Sequence, residues 1–180
     1  MTDEPTPDAT TSEPAAESAA NPVEHNKAVS RRWIDVFNQR DDAAEADVRT
    51  RDYVAYAPAS LEPAPLDSEA WTRFLSEFVD AFPDLHLTVE DAVAEGDLVA
   101  QRIRFKGTHT GEFQGLPPTH REVSFSGLEL NRFVDGKVEE HWFQMDALGL
   151  LQQLGLVVLP GPRLLPGLLA HQLRKLRNRR

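Results

Sequence analysis

His141 and Asp146, near the end of the chain, have the side-chain types that move protons to and from carbon and oxygen. An imidazole titrates near neutral pH unaided. A carboxyl brought into an apolar pocket has its pKa raised, because burial disfavours the anion. Asp146 in such a pocket would serve as general acid/base toward a carbonyl compound. The competing reading is a helix N-cap, since Ala147–Leu154 looks helical directly after it. His141 falls on the opposite strand face from Asp146 if the strand is regular. It reads either as a catalytic partner or as a ring that satisfies a buried polar neighbour. Trp142 beside it is a candidate substrate-binding ring.

Three further groups are candidates. Glu129 lies among Phe125, Leu128, Leu130 and Phe133, and an acid in an apolar strand is costly to bury unless paired or protonated. A bulge at Gly127 would turn its carboxyl outward, toward Arg102 and Arg104, where it remains a candidate substrate contact. Tyr53 and Tyr56 each offer a phenol that could polarise a carbonyl oxygen, and each could instead be simple packing with a wet hydroxyl. His109, in Thr108-His109-Thr110, is a candidate for a pocket wall, and His120 is expected in solvent.

Other chemistries lack their residues. There is no H-E-x-x-H and no cluster of carboxylates, so no metal site is expected. No G-x-S-x-G elbow supports a serine hydrolase, and no Gly-rich loop precedes a helix to hold phosphates. Cysteine is absent, which removes disulfides and thiolate chemistry together.

Charge narrows the partners. The 180 residues carry a net charge of −10. Residues 1–22 contribute −5, residues 161–180 contribute +6, and the stretch between them carries −11. An acidic body repels polyphosphates, so no nucleic-acid partner is expected. Residues 1–22 are acidic, lack aromatic side chains and read as a disordered tail. They have neither a basic n-region nor an apolar h-region, so no secretory signal is expected. With no run of 18 apolar residues either, the expectation is a cytoplasmic protein. Residues 156–180 read as a Pro/Leu-rich linker and a basic amphipathic tail that rests on a membrane surface or on a second subunit. The domain is expected over 23–155.

The elements that must position these groups follow from periodicity. Val29, Trp33, Val36 and Phe37 share one face of a helix over about 26–39. A short helix follows near 42–49, then a brief strand at 52–57. Trp71, Phe74, Leu75, Phe78, Val79 and Phe82 mark the clearest helix, capped by Asp67 and stopped by Pro83. From Leu85 the period becomes two. Leu85, Leu87, Val89 and Val93 share a face, a turn falls at Glu95-Gly96, and strands follow at about 98–105, 122–133 and 137–145. Asp135-Gly136 is a hairpin turn signal. Helices followed by a meander predict an α+β fold: an antiparallel sheet curved around the N-terminal helices, with a closed-ended pocket between them.

The sequence is similar to the SnoaL-like polyketide cyclases, also called ester cyclases, of the nuclear transport factor two superfamily. The resemblance is carried by Ala81-Phe82-Pro83-Asp84-Leu85, Val89-Glu90-Asp91, Glu95-Gly96-Asp97, Gly107 to Phe113, Gly115-Leu116-Pro117-Pro118-Thr119, Ser126-Gly127, Asp135-Gly136-Lys137, Glu140-His141-Trp142, Asp146 and Gln152-Gln153-Leu154-Gly155. It implies a cone fold, a hydrophobic small-molecule substrate, no cofactor, and ring closure by intramolecular aldol condensation with a carboxyl as acid/base. It also leaves a homodimer open. Two positions depart from the family pattern. Tyr56 stands where relatives usually have a His. Trp142 and Phe143 follow His141 where the family's Asp lies close behind, so that Asp146 is the nearest downstream acid. A non-catalytic binding protein and a cone-fold isomerase or hydrolase remain alternatives.

Overall fold

The computed structural model describes residues 21–156, except 60 and 63, together with 166–167. The expected acidic tail and the basic C-terminal tail therefore lie, almost entirely, outside the described residues.

Helix α1 (Pro22–Gln39) starts where Asn21 accepts a hydrogen bond from the Val23 amide and Pro22 occupies the first turn. It buries Ser30, Trp33 and Ile34. A 3₁₀ turn (Asp42–Ala44) and the one-turn α2 (Glu45–Val48) lead into β1 (Arg49–Tyr56). After a Pro-rich loop, β2 (Leu66–Asp67) pairs with β1. Asp67 then caps α3 (Ser68–Ala81) by accepting from the Ala70 amide. Trp71, Phe74 and Phe78 of α3 are buried, each contributing roughly 1.5–3 kcal/mol.

Strands β3 (His86–Glu95), β4 (Leu98–Thr108), β5 (Glu122–Val134) and β6 (Lys137–Met145) form the expected meander. Short helix α4 (Ala147–Gln153) closes the domain. At the β5–β6 hairpin Asp135 and Gly136 both adopt positive φ, at 49° and 75°, as the two-residue turn requires. The sheet order is β2-β1-β6-β5-β4-β3. All pairs are antiparallel except β1 with β6, which is parallel. That pairing departs from the wholly antiparallel expectation. It arises because α3 and four intervening strands separate β1 from β6, a connection long enough for a parallel neighbour.

Two details of register correct the sequence reading. No bulge interrupts β5 at Gly127: β4 and β5 pair continuously from Leu98↔Arg132 to Thr108↔Glu122. Val123, Phe125, Gly127, Glu129, Asn131 and Phe133 therefore all face the helices. Gly127 serves close packing instead, since a Cβ there would lie 2.8 Å from the Phe105 ring and 3.0 Å from the Gln144 carbonyl oxygen. A bulge does occur in β3 between Val89 and Asp91, and it turns Val93 outward, 69% exposed.

Candidate active site

Strict alternation along β4, β5 and β6 sends polar groups inward among aromatic rings. Gln101 pairs across strands with Glu129, and Asn131 with His141, so four polar side chains lie on adjacent rows of the inner face. All four are buried, and so is Ser30 of α1. Gln101 Nε2 donates to Glu129 Oε1 at 2.5 Å and to the Ser30 carbonyl at 3.1 Å. Asn131 Nδ2 donates to Ser30 Oγ at 2.9 Å and, at 3.4 Å, to the same Glu129 oxygen.

These donors fix the imidazole. With its amide nitrogen turned to Ser30, Asn131 presents Oδ1 to His141 Nδ1 at 2.7 Å, so Nδ1 carries the proton. His141 Nε2 is then a bare lone pair, 3.8 Å from Glu129 Oε2. Burial lowers the His141 pKa to about 3, and the ring is neutral at physiological pH. Burial raises the Glu129 pKa to about 7, against the opposing effect of the Gln101 and Asn131 hydrogen bonds. Near neutral pH this carboxyl both gives and takes a proton, with Oε2 as the atom not already engaged by the two amides.

The walls are aromatic. Trp33 stacks on His141 at 5.5 Å, Trp71 lies 4.9 Å away, Tyr53 6.4 Å and Phe143 6.3 Å. Tyr53 Oη, Trp71 Nε1, Gln101 Oε1 and His141 Nε2 are buried and find no hydrogen-bond partner among the described residues. Each such orphan costs about 1–3 kcal/mol. A core selected for stability alone would not leave four of them unpaired, one on the imidazole and two on the Tyr53 and Trp71 rings beside it. They suit a guest that carries both carbonyl and hydroxyl groups: Tyr53 Oη and Trp71 Nε1 can donate, and Gln101 Oε1 and His141 Nε2 can accept.

Two expected features are corrected here. The interior is not a hollow pocket: the void beside Phe74, Phe105 and Phe143 measures about 30 Å³, room for about one water. Aromatic rings fill the space that a substrate would need, so binding requires them to part. Asp146, expected as the acid/base, is exposed, and its Oδ1 accepts from the Gly149 amide at 2.8 Å as the N-cap of α4. Its carboxyl is held at the helix end and points away from the interior. Asp146→Ala is accordingly expected to cost about 1 kcal/mol of stability with turnover unchanged. Urea denaturation and a rate assay on the same sample check both halves, and a large rate loss would restore the original assignment.

The remaining candidates divide by strand face. Tyr56 and Trp142 are register partners across β1–β6 and stack at 5.4 Å on the outer face, away from the interior. His109 is buried, but at the far end of the domain against Phe82 at 5.1 Å. Its Nδ1 accepts from the Thr119 amide at 3.2 Å, and burial lowers its pKa, so it pins the 109–121 loop as a neutral ring. Glu129, expected outward, is inward. Gln101, Asn131 and Ser30 were not singled out from the sequence, and Trp71 was read only as part of the apolar stripe of α3. An unbroken period of two through Val99-x-Gln101-x-Ile103-x-Phe105 and Gly127-x-Glu129-x-Asn131-x-Phe133 is the signal that marks the strand residues.

A fold of this kind has known counterparts. The family model for the SnoaL-like polyketide cyclases matches residues 27–154. The chain belongs to that family. Aklanonic acid methyl ester cyclase DnrD of Streptomyces peucetius is 31% identical to this SnoaL-like chain over 131 residues, covering 69% of it and 87% of the relative. AclR of Streptomyces galilaeus, a proposed hydroxylase, superposes with a TM-score of 0.67 at 35% identity, over 76% of this chain and 99% of its own. IdmH of Streptomyces antibioticus, a proposed polyketide cyclase, also reaches 0.67 at 34% identity, over 73% and 99%. The cone architecture of the SnoaL-like fold is thus present, and cyclase chemistry is supported by the relatives. Among the described residues no helix is long and apolar enough to cross a membrane.

Proposed function

We propose that this SnoaL-like protein closes a carbon ring by intramolecular aldol condensation of an aromatic polyketide methyl ester, without a cofactor, using Glu129 as the acid/base. One observation carries the reading: a buried carboxyl with a pKa of about 7 beside a neutral imidazole, with the unpartnered donors Tyr53 Oη and Trp71 Nε1 buried in the same core. The resemblance places the family's acid close behind the strand histidine. Phe143 takes the inward position next after His141, and Glu129 is its direct partner across β5–β6. The carboxyl has moved one strand sideways at the same level of the cone.

The steps balance without a co-reactant. Glu129 Oε2 takes a proton from the carbon between the ester and ketone carbonyls, leaving an enolate. Tyr53 Oη and Trp71 Nε1 supply hydrogen bonds to the negative oxygen, replacing water in a low-dielectric site. The enolate carbon attacks the distant carbonyl carbon, a C–C bond forms, and Glu129 returns its proton to the new alkoxide. His141 Nε2 accepts from the Glu129 hydroxyl between the two transfers. Phenol removal, as Tyr53→Phe, should lower kcat by about 10–10³-fold with little change in KM, as steady-state kinetics would show. The direct test is incubation with aklanonic acid methyl ester and with nogalonic acid methyl ester, the latter from the name of a Streptomyces nogalater cyclase 45% identical over 49 residues, followed by chromatography for the isomeric product. Failure to convert either above the buffer rate would overturn the reading. The departures from the family pattern at Tyr56 and Phe143 favour a second reading, a non-catalytic binding protein, which predicts that outcome with retained ligand affinity.

The outer face supports a homodimer. Val93, Ala100, Leu130, Trp142 and Tyr56 are successive register partners and form one apolar row over five strands. Leu128 beside it is 60% exposed. Flanking charges of both signs, Arg102 with Glu90 and Asp91, are self-complementary about a two-fold axis. Leu128→Lys should halve the mass seen by light scattering; an unchanged mass removes this face from the interface.

A further inference from the structure

A groove of about 830 Å³ opens where α2 meets β1, lined by Glu45, Arg49, Thr50, Arg51, Asp135 and Lys137. Three cations face two acids there, although residues 23–160 together carry −11. Arg49 is the centre of it. Its side chain is only 10% exposed. Nη2 bonds the Glu45 carboxylate and lies 3.2 Å from Thr72 Oγ1, whereas Nη1 is buried without a hydrogen-bond partner among the described residues. Thr50 Oγ1, on the same wall, is also buried and unpartnered. Arg51 is exposed and makes no ion pair among the described residues, and Lys137 Nζ is tied to the Ala46 carbonyl at 2.7 Å.

The groove leads to the reaction centre through one ring. The Arg49 guanidinium carbon lies 5.2 Å from the Tyr53 ring centroid, and Tyr53 in turn faces Trp33 at 5.5 Å and His141 at 6.4 Å. A molecule lying along Tyr53 would have one end at Arg49 and the other at Glu129.

From these contacts we propose that the groove binds an anionic oxygen substituent of the substrate, a carboxylate or phenolate, with Arg49 as its anchor and Arg51 and Lys137 as its surrounding field. The proposal deepens the cyclase reading and rests on the interior being the reaction chamber. A guanidinium has five donors in a planar fork, and Arg49 keeps part of that fork unused in a place where water does not serve it. An incoming oxyanion completes it with a charge-assisted hydrogen bond, accepts from Thr50 Oγ1, and competes with Glu45 for Nη2. It thereby registers the carbon skeleton along Tyr53, which an apolar cavity of packed rings cannot do by shape alone.

The test uses the full-length protein and two fluorescent probes of equal ring system, 2-anthracenecarboxylate and neutral 2-(hydroxymethyl)anthracene, titrated by anisotropy. The carboxylate should bind about tenfold or more tighter, and its advantage should shrink with added salt. Arg49→Met should erase the preference. Arg51→Met/Lys137→Met, at exposed and half-buried positions, should reduce it by about threefold, which keeps the test decisive if Arg49→Met fails to fold. Equal affinity for the two probes, or a preference left undiminished by the Arg51→Met/Lys137→Met change, overturns the inference. Neither probe contains the reacting ketone and ester, so the result is independent of turnover. An inactive protein that still prefers the carboxylate would sink the cyclase reading and leave the anion site standing.

Discussion

Glu129→Gln should lower turnover by about 10²–10⁴-fold, the usual contribution of a positioned acid/base, while the domain stays folded. The substitution is nearly isosteric. The amide oxygen can still accept from Gln101 Nε2 and Asn131 Nδ2, and the amide nitrogen can donate toward His141 Nε2, which now lies 3.8 Å from a carboxylate oxygen. Only the exchangeable proton is lost. On the proposed mechanism, kcat/KM of the wild-type protein should rise with pH through about 7, because the first step needs the carboxylate. Steady-state rates over that range check the limb, and circular dichroism checks the fold. A Glu129→Gln protein with unaltered rate would remove Glu129 from the chemistry, whatever the family relationship.

The second large effect is on stability against pH, where two buried groups oppose each other. His141 has a folded pKa of about 3 against an ordinary 6.5. The unfolded chain therefore binds a proton that the folded ring refuses, and stability present above pH 6.5 is lost as pH falls toward 3. At 1.36 kcal/mol per unit the effect approaches about 5 kcal/mol. Glu129 is shifted upward, from 4.5 to about 7. The folded protein keeps a proton that the unfolded chain releases, so stability present below pH 4.5 is lost as pH rises to 7, by about 3 kcal/mol. Between pH 4.5 and 6.5 the slopes nearly cancel, and wild-type stability should be flat there. Below that window it should fall steeply. Glu129→Gln removes one slope and exposes the other: its stability should climb continuously from pH 3 to 6.5. At pH 8 it should exceed wild type by up to about 3 kcal/mol, because no carboxylate has to be buried. Urea midpoints at half-unit intervals measure this. Parallel curves for the two proteins would show that Glu129 does not carry the raised pKa.

Both effects concern a residue whose direction was misjudged from sequence, and the reason is instructive. Val123 and Phe125 against Leu128 and Leu130 looks like an apolar pattern that changes phase, and Gly127 between them looks like the bulge that repairs it. That inference assumes that apolar side chains point inward. Here the inner positions after Gly127 are Glu129 and Asn131, while Leu128 and Leu130 serve the outer row with Val93, Trp142 and Tyr56. Asp146 shows the opposite case. Its cap signal, an acid before Ala147–Leu154, was legible and correct, and the chemical role was the reading that lacked local support.

Residues alone determined what depends on near neighbours: the helix stripe of Trp71, Phe74 and Phe78, the caps at Asp67 and Asp146, the Asp135-Gly136 turn, and hence the α+β meander and its family. Backbone hydrogen bonding and side-chain period act over a few residues, so a single chain reports them. Which face of β5 is enclosed, and whether the cone is open or filled, was decided only when Gln101, Asn131, Ser30 and His141 met around Glu129 from four separate elements. Polar groups can be afforded in a core only where their partners arrive together, and those partners lie up to 101 residues apart along the chain.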